Sequence, residues 1–163
     1  MKISKLVLSA ALLALPCALP AQTMVKHLQP NEKAAIADGV WAGDTLYLSG
    51  QLASPVTPAD AAKGTAAVYG DTKTQAASVF AKIQTLLKAQ GLDMKDVVKM
   101  TVFLAGDPAM SGKLDFAGMQ SQYVQYFGTK DQPNKPARSA MQVAALAAPW
   151  ALIEVEVIAV KSK

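Results

Sequence analysis

One arginine, Arg138, stands among fifteen lysines, and glutamate is almost as scarce: Glu32, Glu154 and Glu156 against nine aspartates. Arg138 opens the stretch RSAMQVAAL, and Glu154 and Glu156 alternate with apolar residues in ALIEVEVIAV. Charges set into such stretches need partners or a task. A guanidinium fork makes two parallel hydrogen bonds to a planar carboxylate, a geometry that a lysine ammonium lacks. Desolvation raises a carboxyl pKa, so a glutamate in an apolar wall is suited to shuttling a proton near neutral pH. Together they form a minimal site for a small carboxylate substrate and an activated water. A structural Arg–Glu salt bridge at a subunit interface would use the same residues, and spacing does not choose between the two.

Other chemistries lack their residues. The only histidine, His27, reads as a residue of an N-terminal strand, and a Ser–His–Asp arrangement would have to use it. One His and one Cys do not make a zinc or iron site. No Walker or GxGxxG spacing occurs, so no phosphate loop is expected. No cofactor is expected.

The N-terminus has the layout of a secretory signal. Lys2 and Lys5 precede the apolar run LVLSAALLAL, and helix breakers and small residues follow in PCALPAQT. The run is too short to span a bilayer. Residues 1–21 are therefore expected to be a cleaved signal peptide, and 22–163 one domain, periplasmic or secreted. Cleavage removes Cys17, leaving no thiol for disulfides or catalysis. It also removes Lys2 and Lys5, lowering the net charge from +4 to +2. That balance, with few aromatics, argues against a nucleic-acid surface. No membrane association is expected after cleavage.

The elements that must position Arg138 and the glutamates can be read from period and punctuation. Asp44 to Leu52 alternates as a strand, with Leu46 and Leu48 on one side and Tyr47 and Ser49 on the other. A loop with two prolines runs from Ser54 to Gly70, with room for a helical turn. Asp71 caps a helix whose apolar face is Ala76, Val79, Phe80, Ile83 and Leu87, ended by Gly91. Asp96 to Gly106 is a buried strand. A second helix is expected from about Lys113 to Phe127, with Phe116, Met119, Tyr123 and Phe127 on one face. The last two strands, joined by a short turn at Ala147 to Trp150, read as an antiparallel hairpin that sets Arg138's strand opposite Glu154 and Glu156. The sum is an α+β domain with two helices on one face of a mixed sheet. Ile158 and Val160 on the uncovered face argue for a second subunit there.

YLSGQ (47–51), VVKMTVFL (97–104), Phe116 with QSQYVQYF (116–127), PARSAMQVAAL (136–146) and IEVEVIAV (153–160) resemble the Rid family of reactive intermediate deaminases. It is also called the YjgF family and long labelled L-PSP endoribonuclease. The resemblance covers about residues 36–161. It implies a chorismate-mutase-like fold, a homotrimer with a central barrel, and sites in clefts between subunits. The implied reaction is hydrolysis of a 2-imino or enamino acid to a 2-oxo acid and ammonia. By the same resemblance Arg138 grips the substrate carboxylate and Glu154 holds or activates the water. Ser49 and Gly50 line the pocket, and Ala140 stands where many members have cysteine. Ile36 replaces a pocket tyrosine, which makes the expected pocket less polar, and Gln120 stands where an asparagine is common. A non-catalytic carboxylate binder would use the same cleft. A holdase role is a further alternative, and the lone His27 argues against a ribonuclease.

Overall fold

The structure, a computed structural model, describes residues 23–162. The expected signal peptide lies outside the described residues.

Six strands build one sheet, and two helices pack on it. The strands are β1 (Val25–Leu28), β2 (Gly39–Ala42), β3 (Thr45–Leu52), β4 (Val97–Leu104), β5 (Ala137–Gln142) and β6 (Ile153–Val160). The helices are α1 (Thr72–Ala89) and α2 (Phe116–Tyr123). The strand order is β1-β2-β3-β6-β4-β5, antiparallel throughout except for the parallel pair β4 and β5.

α1 follows its sequence signals. The Asp71 carboxylate accepts a hydrogen bond from the Thr74 N–H, satisfying a helix-end donor that would otherwise lack a partner. Gly91 takes φ +74° just beyond the last turn, a conformation that favours glycine. Ala76, Val79, Phe80, Ile83 and Leu87 are fully buried, as the 3.6-residue period requires. They pack with Leu46 and Leu48 of β3, Met100, Val102 and Leu104 of β4, and Ile153, Val155, Val157 and Ala159 of β6. Met119, Tyr123 and Phe127 complete this core from α2 and the turn after it. Both helices thus cover one face of the sheet, as expected. The other face carries Tyr47, Thr101, Phe103, Glu154, Glu156, Ile158 and Val160, all at least partly exposed in a single chain.

α2 is shorter than its period suggests. It begins at Phe116 because Asp115 caps it, accepting from the Gly118 N–H, while Lys113 is held in a turn paired with Asp107. Phe116, expected on the buried face, is 45% exposed.

The expected hairpin of the last two strands does not form. β5 returns from α2 as a crossover beside β4 and runs parallel to it, ending as the outer strand. β6 then passes across the end of β4 and enters between β3 and β4. The connection over residues 143–152 is anchored at that crossing: Val143 N–H donates to Leu104 O, and Ala105 N–H donates to Leu152 O. A parallel pair needs such a crossover, whereas the hairpin reading assumed that sequence neighbours pair.

Gln75 locks the same crossing to α1. Fully buried, it donates to the carbonyls of Gly70 and Trp150 and accepts from the Leu152 N–H. Trp150 stacks on Tyr69, with ring centroids 3.5 Å apart, so the loop before α1 is tied to the loop before β6. That first loop, expected to be irregular, folds back on itself through isolated pairings of Thr57 with Val68 and Asp60 with Thr65.

Candidate functional site

Arg138 lies on β5 in register with Met100, on the face covered by the helices. Its guanidinium carbon sits 4.1 Å from the centroid of the Tyr123 ring and 5.7 Å from that of Phe116. One of its N–H groups points at Met119 Sδ, 4.0 Å away. α2 thus supplies two rings and a thioether against which the cation rests. Among the described residues the ion pairs are Lys63–Asp60 and Lys88–Asp93, and Arg138 has no carboxylate partner among them. Burial pushes the Tyr123 phenol up, and the nearby Arg138 charge pulls against that shift.

A groove of ≈ 500 Å³ opens beside Arg138, lined by Gln120, Tyr123, Phe127, Lys135 and Pro136 among others. Gln120 Oε1 is buried there without a hydrogen-bond donor. A buried acceptor left without a donor is unfavourable unless something else supplies one.

The second group of expected residues gathers elsewhere. Between Leu48 and Gln51 the β3–β6 register slips, so Ser49 and Gly50 together face Glu156. The Ser49 hydroxyl donates to Ala37 O at 2.7 Å, and its N–H donates to Asp38 O. Ile36, next to that anchor, is 71% exposed at the rim. The Glu154 carboxylate lies against Gly50, where a Cβ would overlap Oε1 and Cδ. Only a residue without a side chain lets the carboxylate take this position. Glu154 is itself only half-buried in the single chain.

These two groups do not meet within one chain. Glu154 pairs with Phe103 and Leu52 on the uncovered face, whereas Arg138 pairs with Met100 on the helix face. They are separated by β4, and their partners on β4 lie three residues apart, about 10 Å along the strand. The expected opposition of Arg138 and Glu154 across a hairpin is therefore corrected. Ala140 is exposed on β5, two residues beyond Arg138, with one edge of its strand unpaired.

The aromatic platform beneath Arg138 was not anticipated as part of a site. Phe116 and Tyr123 read from sequence as packing residues at helical spacing. Their signal, two rings one helical repeat apart beside a lone arginine, has meaning only once β5 is placed next to α2.

A family described as "Endoribonuclease L-PSP" matches residues 27–161. A RutC family protein of Pyrococcus horikoshii is 36% identical over 132 residues, spanning 81% of this chain and 91% of its own. A goat (Capra hircus) protein named 2-iminobutanoate/2-iminopropanoate deaminase is 36% identical over 144 residues, spanning 85% of this chain and 93% of its own. In three dimensions, RidA from the Antarctic bacterium Psychrobacter superposes with a TM-score of 0.60 at 29% identity, covering 86% of this chain and 98% of that one. With the matched region running from β1 past the end of β6, this chain belongs to the endoribonuclease L-PSP (RutC/YjgF) family.

Proposed function

We propose that this protein is a hydrolytic deaminase of reactive 2-imino or enamino acids, working outside the cytoplasm. The observation that carries the reading is an arginine set against two aromatic rings beside an open groove, with no carboxylate partner among the described residues. The goat relative's name supplies the reaction class.

In this reading the substrate carboxylate takes both arms of the Arg138 fork. The orphan acceptor Gln120 Oε1 receives the imine N–H. Glu154, pressed against Gly50, holds the water and accepts its proton as the oxygen adds to the C=N carbon. That proton passes to the nitrogen, giving a carbinolamine; Glu154 then takes the hydroxyl proton as the C=O forms and delivers it to the amine, so that the C–N bond breaks and ammonia leaves a 2-oxo acid. The imine is intrinsically reactive, so positioning does most of the work, and no metal or cofactor enters. Because Arg138 and Glu154 face opposite sides of one sheet, each site takes its arginine and its glutamate from different subunits. A homotrimer, with the uncovered faces turned inward, would bring them together.

The test is ammonia release from freshly generated 2-iminobutyrate. The wild-type protein is expected to accelerate it. Glu154→Gln should lose turnover by a factor on the order of 10²–10⁴ while still binding 2-oxobutyrate. Arg138→Lys should lose both. No acceleration by the wild type removes the enzyme reading. If the wild type binds 2-oxobutyrate without turnover, and Glu154→Gln changes nothing, the protein is a carboxylate binder using the same groove.

A further inference from the structure

Lys135 also reaches the groove that Arg138 lines. It has no ion-pair partner among the described residues. The loop that carries it is held by side-chain hydrogen bonds. Gln132 stitches the loop before it, donating to Tyr126 O and Asn134 O and accepting from the Asn134 N–H. The lysine stem then lies along Gly128, where a Cβ would overlap Lys135 Cε. Gly128 also takes φ +72°, a conformation that disfavours other residues. The backbone at position 128 therefore favours glycine, and the exposed Lys135 side chain lies in the space it leaves.

The groove thus holds two cations and no carboxylate among its lining residues. Its ≈ 500 Å³ exceeds what a four-carbon imino acid fills. We propose that Lys135 selects substrates with a second carboxylate: the groove takes 2-imino dicarboxylic acids, the C1 carboxylate on Arg138 and the side-chain carboxylate on Lys135. This rests on the proposed assignment of Arg138 to the substrate carboxylate. A fork suits the fixed end of the substrate, and a mobile ammonium suits a side chain of variable length.

The experiment compares two product analogues of equal chain length, 2-oxoglutarate and 2-oxopentanoate, by calorimetry with the full-length protein at low salt. 2-Oxoglutarate is expected to bind about 5-fold more tightly, the upper range for a solvent-accessible ion pair. The ratio should collapse toward one in Lys135→Ala and shrink in high salt. It should persist in Lys88→Ala, which removes an equal charge from the last turn of α1, outside the groove's lining. Equal affinities in the wild type, or a preference that survives Lys135→Ala, would overturn the inference while leaving the monocarboxylate site intact. If neither acid binds, the assignment of Arg138 fails and this inference fails with it.

Discussion

Arg138 and Glu154 occupy opposite faces of one sheet, on strands that both border β4. No side-chain rotation brings them together inside a chain, because β4 and its side chains stand between.

Cooperation between subunits is therefore testable by complementation. Arg138→Lys and Glu154→Gln are each expected to be inactive alone. Co-expressed in equal amounts, they should form mixed oligomers in which about one quarter of the sites pair an intact arginine with an intact glutamate. Deaminase activity near that fraction of wild type is expected. Activity no greater than that of the separate variants would exclude a shared site.

Gly50→Ala should disturb the site without removing any of its functional groups. The new methyl overlaps the Glu154 carboxylate, which must swing away. Because that carboxylate ends a half-buried side chain, the overlap is relieved by its rotation and the thermal melt should change little. Turnover should fall more than affinity for 2-oxobutyrate. A variant with wild-type turnover would show that the carboxylate does not need this contact.

Asp71 links pH to stability. Its carboxyl is held below its ordinary value of 3.8 by hydrogen bonds from Thr74. A folded pKa below the unfolded one means that the contribution is complete above pH ~4 and fades as pH falls through the folded value. Asp71→Ala should therefore cost about 1 kcal/mol at neutral pH, as for other N-caps. The gap between wild type and variant should close as the pH drops below ~4. Denaturant melts at the two pH values would measure it, and a pH-independent gap would contradict the assignment.

Export gives a prediction about the chain's start. If residues 1–21 form a cleaved signal, N-terminal sequencing of the protein recovered from a bacterial periplasm should begin at or within a few residues of Gln22. Recovery of the intact N-terminus from the cytoplasm would remove the extracytoplasmic part of the proposal.

What sequence made legible was what local chemistry dictates. The buried stripe of α1, its Asp71 cap and Gly91 end, and the alternation of Leu46 and Leu48 each depend on residues a few positions apart. The hairpin failed because the relation between β5 and β6 is set by distant partners. Nothing in ARSAMQ states that β4, some forty residues earlier, will lie beside it. The candidate site suffered the same way. Arg138 and Glu154 stood out by rarity, but which faces they occupy depends on pairings with Met100 and Phe103. The rings beneath the guanidinium became visible only through that arrangement. Phe116 is exposed because its place on α2 looks toward β5's arginine rather than into the core.

The position of β6 bears on how the chain is made. Of the six strands, the one that joins β3 to β4 is the last to leave the ribosome. Until it arrives, the nascent polypeptide holds two unjoined half-sheets, each with a bare apolar margin, and long-range pairing of this kind is slow. A protein cut short before residue 153 would therefore lose the keystone of its fold rather than a peripheral strand.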